Sequence, residues 1–280
     1  MYRKILSAVN EHLNSEITAR YALGLAEACG ARLYTCFIAP KGISREDLSA
    51  AEAAMKRIFL AAEERGVAVE IISKTGDPVR EIGRIVRQEG VDLVFASTRR
   101  KDITRRFYEG TVARSLLVSL PCSVALVRVV HAGRIRPSTI LVPLKERVRH
   151  LMERAYFTAK MAEAFNAGIF LFHAAKPFTK FFHGELHLTP LQWEEKIPQG
   201  MKDFISLLTD AGIPPEGRLA PVPAEKGITI EAAARRHDLI IMGASERGML
   251  NSILRGSPVE TVLRETPCDL IILRPGHEDK

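Results

Sequence analysis

The chain has 280 residues, 46% of them hydrophobic and 26% charged, with a formal net charge of +7. That is enough apolar material for two ordinary cores and too balanced a composition for wholesale disorder. No apolar run reaches the roughly 18 residues that a bilayer span needs, and the start MYRKILSAVN lacks a secretory h-region and cleavage site, so a cytoplasmic protein is expected.

The first elements alternate. Ile5 to Val9 is a short apolar run of strand type, followed by helical spacing of Ile17, Tyr21, Leu25 and Cys29 that Gly30 ends. Leu33 to Ala39 predicts the second strand, Ser49 to Glu64 the second helix, and Val67 to Ser73 the third strand. Pro78 to Gln88 is a third helix with Pro at its first turn. Asp92 to Ala96, Thr111 to Leu120 and Ser123 to Val129 then read as strand, helix, strand. Strands alternating with helices of this length argue for a parallel sheet covered on both faces.

The second half repeats the order. Its strands are expected at Thr139 to Leu144, Ile169 to Ala174, Arg218 to Val222, Leu239 to Met242 and Leu270 to Leu273. Its helices are expected at Leu151 to Phe165, within Leu191 to Ala211, at Thr229 to Arg236 and around Pro258 to Arg264. A constant offset of 146 residues pairs Asp92 with Asp238, Gly110 with Gly256, Cys122 with Cys268 and Arg128 with Arg274. Two α/β domains follow, 1–130 and 138–280, joined by a short linker that holds them against each other as an internal pseudo-dimer. Only the second carries a long insert, 176–199, with Phe178, Phe181, Phe182, His183, His187 and Trp193. A packed lid or interface element is the expected role; a ligand lid, a lipid contact or a metal site at the two histidines are the alternatives.

The four cysteines, Cys29, Cys36, Cys122 and Cys268, have no CxxC spacing, which argues against a zinc site or a disulfide scaffold. They read as small buried hydrophobes.

In a parallel α/β sheet, ligands sit beyond the carboxyl ends of the strands, where the strand order reverses. In the second half, the fourth strand runs into Gly243, Ala244, Ser245, Glu246, Arg247 and Gly248, and the loop closes at Gly256-Ser257 before a helix. Glycines there let backbone N–H groups approach a phosphate, and the helix N-terminus adds positive potential. The first-half counterpart has Ser97 and Asp102 where the second has Gly243 and Gly248, has Arg100 opposite Glu246, and retains only Gly110-Thr111. Its basic run, Arg99 to Arg106, reads as a solvated loop, with an anion site or an electrostatic contact with the other domain or a partner as the alternative; no interleaved aromatics point to nucleic acid.

These residues resemble the universal stress protein family in its tandem two-domain form. The resemblance covers nearly all of both halves and implies two five-stranded, Rossmann-like domains of the adenine nucleotide alpha hydrolase type, meeting through their last strands. The family's ATP binders carry G-x2-G-x9-G-[ST] after strand four; Gly243, Gly256 and Ser257 match, but the middle glycine is Glu246. Their Asp at the end of strand one is Asn10 in the first half and Lys145 in the second. Gly76-Asp77-Pro78 also resembles the family, while its second-half counterpart near Lys226 and Gly227 lacks the Asp and the Pro.

The resemblance implies a stress-response binding module. ATP or another adenine nucleotide, with or without magnesium, is expected near Gly243, Ala244, Gly248, Gly256, Ser257 and Lys145. The counterpart at Asn10, Ser97, Gly110 and Thr111 is expected to be degenerate. A homodimer is compatible with this form. The alternative is an interaction protein that has lost nucleotide binding in both halves. No GxSxG, HExxH or GxxxxGK[ST] motif is present, so a non-enzyme is expected. A slow ATPase would have to rely on Glu246. His173 is expected to be structural.

Overall fold

The computed structural model describes residues 1–98, 111–133, 136–174, 197–220, 224–244 and 258–276. In the first half, strands β1 (Lys4–Ala8), β2 (Arg32–Ala39), β3 (Val69–Thr75), β4 (Leu93–Ser97) and β5 (Ser123–Arg128) alternate with helices α1 (Leu13–Cys29), α2 (Arg45–Glu64), α3 (Pro78–Glu89) and α4 (Val112–Ser119). The second half supplies β6 (Thr139–Leu144), α5 (Leu151–Phe165), β7 (Gly168–Ala174), α6 (Gln199–Asp210), β8 (Glu216–Ala220), α7 (Ala224–Ala234), β9 (Leu239–Gly243), α8 (Pro258–Glu265) and β10 (Asp269–Arg274).

The ten strands form one sheet in the order β3-β2-β1-β4-β5-β10-β9-β6-β7-β8. Within each half all pairs are parallel; the β5–β10 seam is antiparallel, with Leu270 opposite Arg128 and Leu273 opposite Ala125. The expected meeting of the last strands is therefore a hydrogen-bonded ladder that turns two five-stranded sheets into one. It also removes two apolar edges that would otherwise be open to foreign strands.

Strand residues feed two cores in alternation. Ile271 and Leu273 face α1, α2, α5 and α6, whereas Leu270 and Ile272 face α3, α4, α7 and α8. Both faces are covered, so the strands read as continuous apolar runs rather than as alternating patterns.

The halves are also tied by side chains. Tyr21 donates from α1 to Asp269 of the second half at 2.7 Å, and that carboxylate also accepts from the backbone N–H groups of Val130 and His131. In the reverse direction, Glu153 on α5 accepts from Ser123 and from Tyr2. Arg274, 1% exposed, donates to the carbonyls of Leu120 and Cys122 at 2.8 and 2.7 Å. Helices α1 and α5 pack across the seam, with the Phe165 ring against the bare Cα of Gly24 and edge-on to Tyr21 at 5.5 Å.

Some boundaries differ from the sequence expectations. Helix α2 starts earlier, because Ser44 accepts from the Asp47 N–H and caps it. The third helix of the second half begins at Ala224 rather than Thr229. Lys226 and Gly227, expected in a loop equivalent to Gly76-Asp77, lie inside α7, where apolar neighbours Ile228 and Ala232 bury one face. The third strand of that half runs 216–220 rather than 218–222. All four cysteines are free thiols. Burial pushes Cys36 and Cys268 up to about 12 and Cys122 up to about 11, which keeps them protonated and inert.

Two outcomes follow from the packing. A Cβ on Gly24 would sit 2.8 Å from the Phe165 ring. Gly24→Leu should therefore overpack the α1–α5 contact and cost about 1–3 kcal/mol in a denaturant titration, despite the better helix propensity of leucine. His237 is 4% exposed, lies tilted at 56° against Phe170 with ring centroids 4.9 Å apart, and has no hydrogen bond to either ring nitrogen. Burial holds its pKa below the ordinary 6.5, outweighing the pull of Glu231 and Asp238. Because the unfolded chain takes up this proton first as pH falls, the protein should lose stability below about pH 6.5. His237→Phe should raise the melting temperature and flatten that part of the pH–stability curve.

Candidate functional site

The strand order reverses at β1, between β2 and β4, and again at β6, between β7 and β9. Each reversal opens a crevice at the carboxyl ends of its strands. Parallel pairing of β1 with β4 carries both chains towards Asn10 and Ser97; pairing of β6 with β9 does the same for Lys145 and Gly243. Asn10 and Ser97, and Lys145 and Gly243, are thus gathered at two equivalent places. Because the seam is antiparallel, those places lie at opposite ends of the ten-stranded sheet.

At the first crevice the polar groups are consumed locally. Asn10 accepts from the His12 N–H at 2.9 Å, and its own N–H donates to Ser15, so its side chain shapes the entry to α1. Thr111 is the N-cap of α4 and accepts from Arg114 N–H at 3.3 Å. Asp77 plays the same part for α3, accepting from Arg80 N–H at 2.9 Å ahead of Pro78. Glu16, in the first turn of α1, receives a two-pronged bond from Arg57 at 2.7 and 3.1 Å and another from Arg20 at 3.0 Å. The Arg57 guanidinium beside Glu16 holds its carboxyl below the usual range, and the one carboxylate shared by two arginines ties α1 to α2.

The second crevice is different. Lys145 is exposed, and the loop continues with exposed Glu146 and Arg147, then exposed Arg149. Ala244, which follows β9, is buried and donates to the Leu273 carbonyl at 2.8 Å, extending the ladder beyond the strand. His173 places Nδ1 2.9 Å from the Leu144 carbonyl, a backbone tie between β7 and β6 consistent with a structural histidine. Gly243 has a role beyond the one expected of it. The guanidinium of Arg154, in the first turn of α5, lies over its Cα. A Cβ there would be 2.5 Å from Cζ and 2.9 Å from Nη2. The glycine admits this arginine, whereas the sequence suggested only that it admits a phosphate.

Arg154 is partly buried, and desolvation lowers its pKa to about 10. It was missed in the sequence because an arginine one turn into an amphipathic helix reads as solvated surface. Matching the helix ends, Gly30 after α1 and Asn166 after α5, both left-handed, would have exposed it. That alignment places Thr18 opposite Arg154, a small residue replaced by a large cation.

Gly248, Gly256, Ser257 and Gly110 lie outside the described residues, as do Glu246, the basic run from Arg99, and the aromatic insert up to residue 196. No group of three metal-ligating side chains occurs among the described residues. No described helix is long and apolar enough to cross a membrane. Two clefts lined by described residues, about 660 and 400 Å³, lie at the amino ends of strands, away from both crevices.

The model of the Universal stress protein family matches residues 1–128 and 138–274. No curated protein matches the chain significantly. Among solved structures, it is similar to a universal stress protein from Archaeoglobus fulgidus DSM 4304, at 18% identity and TM-score 0.66, over 99% of this chain and 97% of the other. A functionally unknown protein from Pseudomonas aeruginosa PAO1 aligns at 18% identity and TM-score 0.62, over 98% and 93%. The cytoplasmic domain of a prokaryotic cation chloride cotransporter aligns at 14% identity and TM-score 0.55, over 98% and 95%. At these identities the likenesses concern the fold.

The local bonds mark Asp77 as a capping residue. Asp77→Ala should cost about 1 kcal/mol of stability through loss of the α3 cap, while leaving any ligand affinity of the second crevice unchanged. A denaturant titration paired with a ligand titration checks both parts.

Proposed function

Given that the chain belongs to the universal stress protein family, we propose that it is a tandem regulatory binding module without efficient turnover. In this reading the second domain takes an adenine nucleotide or another phosphorylated ligand, and the first domain is its structural partner. The observation that carries it is the asymmetry of the crevices. Asn10 and Thr111 are engaged locally in the first, whereas the second presents Lys145, Arg147 and Arg149 at its rim and a glycine at the end of β9. Exposed cationic groups at the carboxyl end of a parallel sheet favour an anionic ligand.

A second reading has its own support. Lys145 stands where an acidic residue would meet a nucleoside, and Glu246 stands where a glycine would wrap a phosphate. Both departures favour an interaction protein that no longer binds nucleotide. Magnesium, if it takes part, would arrive with the nucleotide.

The test is an equilibrium titration of the full chain with ATP, with and without magnesium, together with mass spectrometry of ligands that co-purify with native protein. Binding that Gly256→Val abolishes, and that Glu246→Gly strengthens by about 1 kcal/mol, is the expected result. Absence of any bound or titratable nucleotide would favour the interaction protein. Loss of binding in Glu246→Gly only when magnesium is present would give the carboxylate a metal-positioning role and revive the slow ATPase.

A further inference from the structure

We propose that Arg154 is the phosphate receptor of the second domain, with Gly243 kept free of a side chain so that the guanidinium can lie at the carboxyl end of β9 and meet the ligand's phosphate group. The assignment rests on the reading that this domain takes a phosphorylated ligand, and it names the residue that would read the charge.

Three observations converge on Arg154. The first is steric: a Cβ at position 243 would press on Cζ at 2.5 Å, so the glycine and the arginine form one unit. The counterpart positions in the first domain are Ser97 and Thr18, so that unit belongs to the second domain alone.

The second is electrostatic. The other well-placed arginines of the protein have acceptors. Arg57 and Arg20 share Glu16, and Arg274 donates to the carbonyls of Leu120, Cys122 and Pro275. Arg154 has no carboxylate or carbonyl acceptor among the described residues, although it is partly withdrawn from water. Withdrawing a cation without a partner is unfavourable, and the lowered pKa reflects it.

The third is position. Arg154 lies in the first turn of α5, where the helix dipole disfavours a cation and favours an anion. The nearby loop adds exposed Lys145, Arg147 and Arg149 against the single carboxylate of Glu146. A guanidinium offers two parallel N–H donors to a phosphate, which matches an anion that brings its own charge into such a site.

The experiment uses the full chain and three probes: inorganic phosphate, ATP and adenosine. Melting temperature and calorimetric affinity are measured for wild type, Arg154→Met and Gly243→Ala. Arg154→Met is expected to melt higher than wild type without ligand, because a partly buried charge with no acceptor among the described residues has been removed. It should also lose about ten-fold or more in affinity for the phosphate-bearing probes, with adenosine unchanged. Gly243→Ala keeps the charge but displaces the guanidinium, so it should weaken ATP and phosphate binding as well. A response to ATP alone would identify a nucleotide as the source of the phosphate; an equal response to inorganic phosphate would identify the free anion.

Wild-type-like affinity for ATP and phosphate in Arg154→Met overturns the assignment while leaving the binding-module reading intact. Full affinity in Gly243→Ala overturns it too, even if Arg154→Met proves too unstable to assay. If wild type binds none of the three probes, the assignment and the reading on which it rests fall together.

Discussion

The antiparallel pairing of β5 with β10 is the constraint on which the rest of the molecule depends. Each half by itself would present one long apolar strand at an open edge, and neither core would be closed. Joining them makes both cores continuous across the seam. Asp269 and Arg274 show how firmly the junction is specified, since each is almost fully buried and each bonds across it. The direction of the pairing has a functional consequence. Antiparallel strands carry the two carboxyl ends to opposite sides, so one ligand cannot bridge both crevices. Cooperation between them would have to pass through the sheet or through the α1–α5 contact.

The duplication kept its scaffold chemistry and changed its end chemistry. Asp92 and Asp238 each accept from the backbone at the start of the neighbouring strand, the first from Arg3 and Lys4, the second from Ser138 and Thr139. Both α1 and α5 end in a left-handed residue, Gly30 or Asn166. At the carboxyl ends less is shared, the Gly110-Thr111 and Gly256-Ser257 pairs being the sequence match that remains. Asn10 became Lys145, Thr18 became Arg154 and Ser97 became Gly243 in the relation between the halves, whatever the order of the changes. A residue that holds a strand in place cannot drift without loss of stability, whereas a residue facing a crevice is free to follow its ligand.

Much of the fold was legible because both faces of the sheet are covered. That burial leaves strands such as Val124–Val127 and Leu270–Leu273 apolar at every position, an easily recognised signature between helices of regular period. The fixed offset of 146 exposed the repeat from Asp92 onward. It failed upstream, where the register of β1 and β6 requires a different offset, and the equivalence of Thr18 and Arg154 was hidden for that reason. The start of α7 was misjudged because Gly227 was read as a loop residue; burial of Ile228 and Ala232 against β7 and β9 outweighs a single weak helix former. Side-chain contacts between elements remote in sequence, such as Tyr21 with Asp269 and Arg154 with Gly243, leave no periodic trace at all.

The two halves treat their arginines differently. In the first, Arg20 and Arg57 on α1 and α2 share the Glu16 carboxylate. In the second, Arg154 has no acceptor among the described residues, and Lys145, Arg147 and Arg149 are exposed on the preceding loop. If Arg154 is the phosphate receptor proposed above, its attraction is left for a charge from outside. The seam lets the two copies differ in this way, because each covers the core and the edge that the other would otherwise expose.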